Sequence, residues 1–215
     1  MGYSKVFLLT LSIIMLSVGA TIAQQRFGGG LLLGFNASQL DGDQAAGYNK
    51  IGFSGGVRGI IFLTDRMDVS TDILFSEQGS QSSPNDYVTP FVFQLKYLEV
   101  PTLFNYSDWE KATQSGVKYY KVKFSGGFSY GRLFSSSVDS SFLKNHPPLT
   151  ILNKNNISIA LAASFYLSPH IGFTAKWTSA ITDLFHQQSY ANDPVLSQYQ
   201  SLRGYFWTIQ AAYLF

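Results

Sequence analysis

The chain has 215 residues, the amount of material in one domain of ordinary size. Apolar residues make up 46% of it and aromatic residues 16%, whereas charged residues make up only 13%, about half the usual share in soluble proteins. The formal net charge of +2 excludes the basic footprint of a nucleic-acid-binding protein, and the absence of cysteine excludes both a disulfide-stapled scaffold and a lipid-modified cysteine.

The first 23 residues have the features of a secretory signal peptide. Lys5 supplies a positive charge, an almost wholly apolar stretch covers 6–18, and a cleavage site is predicted after Ala23. A retained membrane anchor is the alternative, but the apolar stretch is shorter than the roughly 20 residues of a membrane-spanning helix. The predicted mature domain is 24–215, and removing Lys5 with the signal lowers the formal net charge from +2 to +1.

After the signal, segments of about ten residues alternate apolar with small or polar residues at a period of two. Turn residues separate these segments, so the pattern predicts eight β-strands. The predicted ranges are 27–36, 51–63, 67–79, 93–106, 118–131, 156–167, 171–182 and 204–215. Ten strand residues tilted by about 40° cover roughly 25 Å, which is the height of the apolar band of an outer-membrane barrel.

The second predicted strand shows the two faces clearly. Phe53 and Val57 share one face with other apolar residues, whereas Ser54 and Arg58 share the opposite face. A soluble barrel would point its apolar face inward and cover its outside with charge, and this chain has too few charges for that. The predicted fold is therefore all-β, an eight-stranded antiparallel up-and-down transmembrane β-barrel with a polar lumen.

Long and short connections alternate along the chain. Long loops are predicted at 37–50, 80–92, 132–155 and 183–203, tight turns at 64–66 and 168–170, and a longer turn at 107–117. Outer-membrane barrels have long loops outside the cell and short turns in the periplasm. The predicted location is therefore the cell outer membrane.

Pro101 lies inside the fourth predicted strand. Proline cannot donate to the ladder of hydrogen bonds between strands, and a closed barrel has no free edge to accommodate it. We therefore expect a β-bulge or a local bend at this position.

Six charged residues fall on the predicted lumen face near the middle of a strand. On the lipid face at mid-membrane, each Arg or Lys would cost about 2–4 kcal/mol. A hairpin centred on Asp65 also places Arg58 directly across from Asp72. The predicted lumen network consists of Arg58, Asp72, Glu99, Lys121, Lys123 and Lys176. Because eight strands leave little interior space, these charges either fill the lumen by satisfying one another or line a narrow path for a small solute or protons.

Signals for chemistry are weak. His146, His170 and His186 fall in three different connections and lack the spacing of a metal-ligand set. Asp183 and Ser189 lie close to His186 in sequence, but proximity along one loop is not the geometry of a hydrolytic triad. No catalytic residue, metal or cofactor is predicted.

Three segments resemble the PorT-like outer-membrane β-barrel family. Gly34 to Ser38 is similar to the family's Gly-x-Asn-x-Ser, Asp72 to Gly79 resembles its Glu-Leu-x-Tyr-Ser-x-x-Gly, and Tyr97-Leu98-Glu99-Val100-Pro101 resembles its Tyr-Leu-Glu-Ile-Pro. Asp72 replaces the family's usual Glu and Phe75 its usual Tyr, and both changes keep the character of the position. The resemblance implies an outer-membrane barrel and, for some members, a role in type IX protein secretion and gliding.

The last predicted strand has apolar residues on its lipid face up to Phe215. This pattern resembles the signal that the barrel-assembly machinery reads, and the predicted signal residues are Trp207, Ile209, Tyr213 and Phe215.

The expected function is a non-enzymatic structural or interaction role. The expected partners are outer-membrane lipid, the assembly machinery during insertion and secretion-machinery proteins, with no nucleic acid. Alternatives are a narrow pore or small-solute transporter, a soluble periplasmic carrier and a surface hydrolase.

Overall fold

In the computed structural model the chain forms a closed ring of eight antiparallel strands, as the sequence predicts. The structure describes residues 26–43, 45–83, 90–138 and 148–215, so the predicted signal peptide and His146 lie outside the described residues. The strands are β1 (Phe27–Asp41), β2 (Lys50–Phe62), β3 (Met67–Gln81), β4 (Val92–Ala112), β5 (Lys118–Val138), β6 (Asn155–Tyr166), β7 (Ile171–Ala180) and β8 (Arg203–Leu214). Short 3-10 helices occupy Leu149–Ile151, Gln187–Tyr190 and Leu196–Gln198. Within the described ranges, no helix has the length and apolar character to cross a membrane.

Each strand pairs with the next, and β8 closes the ring by pairing with β1. The β2–β3 hairpin has the predicted register, with Arg58 opposite Asp72. At the closing seam, Gly34 lies opposite Gln210, and a Cβ atom at Gly34 would overlap the carbonyl oxygen of Ile209. Glycine at this position therefore lets the first and last strands come close together.

The two faces of the barrel have opposite chemistry over most of its height. Apolar side chains on the outward face are exposed, for example Phe35, Phe128 and Ile209. Polar side chains on the opposite face are buried in the lumen, for example Ser76 and Thr208. The outside is therefore covered by apolar side chains, as expected of a barrel surrounded by lipid.

The two ends of the barrel differ in their connections. The loop end carries the connections 42–49, 82–91, 139–154 and 181–202, and the turn end carries 63–66, 113–117 and 167–170. The strands extend further than predicted at the loop end, since β1 reaches Asp41 and β5 reaches Val138. Backbone pairing with the neighbouring strand continues there although the apolar alternation of the sequence has faded.

Most of the predicted 107–117 turn is strand. Pairing of β4 with β3 ends at Tyr106, and pairing of β5 with β6 begins at Val122. The two strands nevertheless continue to pair with each other as far as Ala112 and Lys118. Residues 108–121 therefore form a two-stranded ribbon that extends beyond the neighbouring strands, here called the turn-end hairpin.

Of the β-bulge or local bend expected at Pro101, the bulge is not found there. Pro101 pairs with Ser129 in regular register, and the register of β4 against β5 shifts instead between Lys96 and Tyr97. On the side of β3, pairs are present at Thr102 and Glu99 but not between them, with the same register on both sides. Because the flanking pairs hold the strands in place, the missing N–H of proline interrupts the ladder without displacing it.

Candidate functional site

The middle of the lumen contains a buried ion pair between neighbouring strands. Arg58 Nε donates to Asp72 Oδ1 at 2.7 Å, and Arg58 Nη2 donates to Asp72 Oδ2 at 2.8 Å. The side chains are 6% and 2% exposed. Two parallel hydrogen bonds between planar groups fix both the distance and the orientation of the pair.

A second ion pair crosses the lumen one step closer to the loop end. Lys176 Nζ on β7 lies 3.4 Å from Glu99 Oε1 on β4, which also accepts a hydrogen bond from Ser129 Oγ at 2.9 Å. Both charged side chains are almost fully buried. Glu99 Oε2 has no hydrogen-bond partner among the described residues.

A third ion pair lies closer to the turn end. Lys123 Nζ on β5 donates to Asp68 Oδ2 on β3 at 2.7 Å, and Asn105 Nδ2 donates to Asp68 Oδ1 at 2.5 Å. Asp68 was not among the residues predicted for the network. Its position on the polar face of β3, four residues before Asp72, was the signal that sequence reasoning could have used.

The placement of Lys121 in the lumen network is wrong. Its Nζ lies 5.3 Å from the centroid of the Phe165 ring, which is exposed on the outward face, and 5.5 Å from that of Trp109. Lys121 belongs to the turn-end hairpin, where pairing of β5 with β6 has already ended. Beyond that point the alternation of a strand no longer points every second residue into a lumen.

Neutral side chains continue the polar filling between the ion pairs and the loop end. Asn36 Nδ2 donates to Ser76 Oγ at 3.0 Å, and Thr208 Oγ1 donates to Asn36 Oδ1 at 2.8 Å. These bonds join β1, β3 and β8 across the lumen. Asn36 and Ser76 lie in two of the segments on which the family resemblance rests, so those segments supply lumen contacts in this chain.

At the loop end, the lumen changes from polar to apolar. The strands contribute Phe93, Leu95 and Tyr97 among others, and the loops contribute Phe185 and Leu202. The full cluster, here called the hydrophobic cap, is Leu40, Phe91, Phe93, Leu95, Tyr97, Leu133, Leu152, Leu184, Phe185 and Leu202. A β-bridge between Phe185 and Leu202 joins the two ends of the 181–202 loop, and both residues pack in the cap.

The lumen is closed beneath the cap. The space between Tyr97, Glu99 and Phe206 has no room for a water molecule, and a gap beside Ser38 and Thr182 measures about 10 Å³, enough for one water at most. Towards the turn end the lumen widens into a cavity of about 290 Å³ that includes Lys123 in its wall. The described structure therefore resembles a cup that opens at the turn end.

Residues 22–186 match the family model described as outer membrane protein beta-barrel domain. The chain belongs to this family. No curated protein matches the sequence. Among solved structures, the chain is similar to Ail, the attachment invasion locus protein of Yersinia pestis, with 14% identity, 88% of this chain and 99% of that chain covered, and a TM-score of 0.49. It is also similar to neisserial surface protein A, with 12% identity, 87% and 96% coverage and a TM-score of 0.42.

Membership of the outer-membrane barrel family places the protein in the outer membrane. The four predicted assembly residues, Trp207, Ile209, Tyr213 and Phe215, are exposed on the outward side of the barrel. Phe215 also takes part in the closing seam, because its N–H donates to the carbonyl oxygen of Gly29 at 2.9 Å. The structure thus places these residues where β8 meets both lipid and β1.

In the described part of the chain, Asp183, His186 and Ser189 do not form a hydrolytic triad. His186 Nδ1 lies 2.6 Å from Asp183 Oδ2, but Ser189 contacts His186 through its backbone N–H. Asp183 Oδ1 accepts a hydrogen bond from Arg203 Nε at 2.8 Å. Burial opposes ionisation of Asp183, but the hydrogen bonds from His186 and Arg203 outweigh the effect of burial and lower the pKa of Asp183. Among the described residues, no group of three or more His, Cys, Asp or Glu side chains could hold a metal ion.

Proposed function

We propose that this outer-membrane barrel is a non-enzymatic interaction protein with a closed lumen, exported through a cleaved signal peptide. The loop end would face the outside of the cell and the turn end the periplasm, in the orientation common to such barrels. The observation that supports the proposal best is the closure of the lumen at two levels, first by the hydrophobic cap and then by the buried ion pairs.

The charges of the lumen support closure over conduction. Arg58, Lys176 and Lys123 each meet a carboxylate, so the described lumen has no row of like charges that would attract ions of one sign. The cap adds a dry barrier at the loop end. A narrow pore would require both the hydrophobic cap and the buried ion pairs to move.

Planar-bilayer recording tests the closed lumen directly. We expect no current steps from purified protein whose folding has been verified by heat modifiability, that is, faster migration of the unboiled barrel on a denaturing gel. A water-filled porin in the same bilayer provides the positive control. Reproducible single-channel steps from the folded protein would support the pore or transporter instead.

With the lumen closed, the two ends of the barrel are the surfaces available for proteins outside the lipid. Crosslinking in intact cells, followed by pull-down from detergent-solubilised outer membranes, should recover specific proteins with the wild-type chain. A variant with residues 187–199 replaced by a Gly-Ser linker should lose the partners bound at the loop end. Identical protein profiles from both chains and from cells without the bait would contradict the interaction role.

The narrower proposal is an accessory role in type IX protein secretion. It rests on the resemblance of the Tyr97 to Pro101 segment to the PorT-like family. In this chain Tyr97 belongs to the hydrophobic cap and Glu99 to the second ion pair. A deletion strain should release less type IX cargo into the medium while the cargo accumulates in the periplasm. Unchanged secretion in that strain would remove this role and leave the interaction proposal standing.

A further inference from the structure

We propose that the outward face of the barrel at the turn end binds one phospholipid of the periplasmic leaflet. The phosphate of the lipid would lie at Lys121, and one acyl chain would lie in the groove over Ala163 and Ala175. The position in the periplasmic leaflet rests on the orientation given under the proposed function. Three observations on neighbouring residues support the site.

The first observation is the state of the Lys121 ammonium group. It lies over the rings of Trp109 and Phe165, and no ion pair joins it to a carboxylate in the part of the chain that the structure describes. By contrast, Lys118 in the same hairpin pairs with Glu110 at 2.7 Å. An ammonium group held between rings keeps donors that an anionic oxygen can accept.

The second observation is an apolar groove that begins beside this ammonium group. The groove is a shallow, largely open depression of about 370 Å³ on the outward face across β5 to β8. Its lining residues are Val122, Ala163, Ser164, Phe165, Phe173, Thr174, Ala175 and Ile209. Ala163 and Ala175 are paired, so two small side chains form a depression between the larger Phe165, Phe173 and Ile209. Phe165 belongs both to the groove and to the ring pair under Lys121.

The third observation is the backbone of Trp109. This residue has a φ of 61°, in the left-handed region that bulky residues rarely adopt, and its side chain is 55% exposed. Strained conformations of this kind persist where the surrounding structure fixes them, and they are common at ligand clamps. The indole ring lies beside the Lys121 ammonium group, on the hairpin just beyond the last pair of β3 with β4. Tryptophan at such a rim is typical of the layer of lipid headgroups.

The chemistry of the three features matches one class of ligand. A cation without a carboxylate partner favours a phosphate, the exposed indole favours the headgroup layer, and the apolar groove favours an acyl chain. A free phosphate ion would use only the first feature. A second copy of this chain, related by a two-fold axis through this face, would place one Lys121 opposite the other and bury both charges without compensation.

Native mass spectrometry of the folded full-length chain, released from detergent that contains phosphatidylglycerol, tests the proposal. We expect one retained lipid per wild-type chain, and about fivefold weaker retention for Lys121→Gln, the effect of removing one lysine from a lipid surface. Lys111→Gln, at an exposed lysine on the same hairpin, removes the same charge and should retain lipid as the wild type does. Heat modifiability verifies the folding of each variant.

A second pair of variants, one in the groove and one control outside it, tests the acyl-chain site. Ala163→Leu should fill the depression and reduce retention severalfold, whereas Ala37→Leu, on the outward face of β1, should leave it unchanged. Excess inorganic phosphate should not displace the lipid. Reduced retention in both Lys121→Gln and Ala163→Leu supports the site. Wild-type retention in either of these variants, or displacement by inorganic phosphate, overturns the proposal, and the Ala163 variant remains informative if the Lys121 variant does not fold.

Discussion

The guanidinium group of Arg58 and the carboxylate of Asp72 are each removed from water and compensated almost entirely by the other. Such a pair does little for stability compared with apolar residues of the same shape, because desolvation offsets much of the attraction. Removing one partner is a different matter, since the remaining charge then stays buried without compensation. The two changes therefore have very different expected costs.

Replacing Asp72 by Ala should lower the free energy of unfolding by about 3–5 kcal/mol, because Arg58 is left unpaired in the lumen. The double variant Arg58→Met and Asp72→Leu should lose much less. Urea unfolding in detergent micelles, followed by tryptophan fluorescence, measures both. Equal losses in the single and double variants would show that the guanidinium group finds another partner.

Asp43 is a buried acid in the first connection of the loop end. Burial raises its pKa from 3.8 to about 6, the neighbouring Asp41 adds repulsion, and a hydrogen bond from the N–H of Ala45 offsets only part of this. An acid whose pKa is higher in the folded than in the unfolded chain stabilises the fold fully at low pH. That stabilisation is lost as the pH rises through about 6.

Asp43→Asn should therefore remove one pH-dependent contribution to stability. Between pH 4 and 7, the free energy of unfolding of the wild type should fall relative to that of the variant by about 1–3 kcal/mol. Unfolding curves of both chains over this range give the difference between their free energies of unfolding. The other titrating groups are the same in both chains, so their contributions cancel. A constant difference would mean that Asp43 titrates normally.

Among the strand pairs, the β1–β8 seam is one of those in which a glycine leaves no space for a side chain. At Gly34 an added methyl group would meet the backbone of β8, whereas at Gly59 it would have space. Gly34→Ala should destabilise the barrel by about 1–3 kcal/mol through strain, and Gly59→Ala should change stability by about 0.5 kcal/mol or less. Heat modifiability and urea unfolding of the two variants test this contrast.

Assembly of the barrel should depend on the outward face of β8. Phe215 and Val195 are both exposed apolar residues, at 73% and 59%, but Phe215 borders the seam and Val195 lies in the 181–202 loop. Phe215→Asp should reduce the yield of folded barrel in the outer membrane severalfold, while Val195→Asp should not. Fractionation and heat modifiability in cells measure the yield. Equal yields would mean that Phe215 is merely a lipid-facing side chain.

The lengths of β4 and β5 show where sequence patterns stop being informative. Period-two alternation located the parts of these strands that lie between lipid and lumen. It did not reveal the turn-end hairpin, because the residues beyond the barrel wall no longer alternate between an apolar outward face and a polar lumen face. The position of Lys121 was predicted wrongly for the same reason, since the pattern was extended past the point at which the barrel wall ends.

At the scale of the whole molecule, the two levels of closure should act independently. Replacing residues 187–199 by a Gly-Ser linker removes Tyr190 and Tyr199 from the packing around the cap, but it leaves the ion pairs in place. We therefore expect this variant to remain silent in planar bilayers at neutral pH. Current steps in the variant, with none in the wild type, would show that the cap alone closes the barrel.

The closed eight-stranded ring, its outward apolar face and the pairing of Arg58 with Asp72 all follow from local pattern and hairpin geometry. The pairing of Lys123 with Asp68 and of Lys176 with Glu99 joins strands that are not neighbours, so no register argument could predict it. The hydrophobic cap also escaped prediction. Phe93, Leu95 and Tyr97 alternate along β4 as strand residues do, but they put apolar side chains on the lumen face, where the rest of the barrel has polar ones. Residues of the loops complete the cap.

The long reach of the lumen contacts has a consequence for the order of events during folding. Glu99 and Lys176 are 77 residues apart, and Asn36 and Thr208 are 172 residues apart. Until β7 and β8 arrive, the carboxylate of Glu99 and the amide of Asn36 lack these partners and need water in their place. The growing barrel must therefore keep a wet interior, and expulsion of that water accompanies the closing of the last seam.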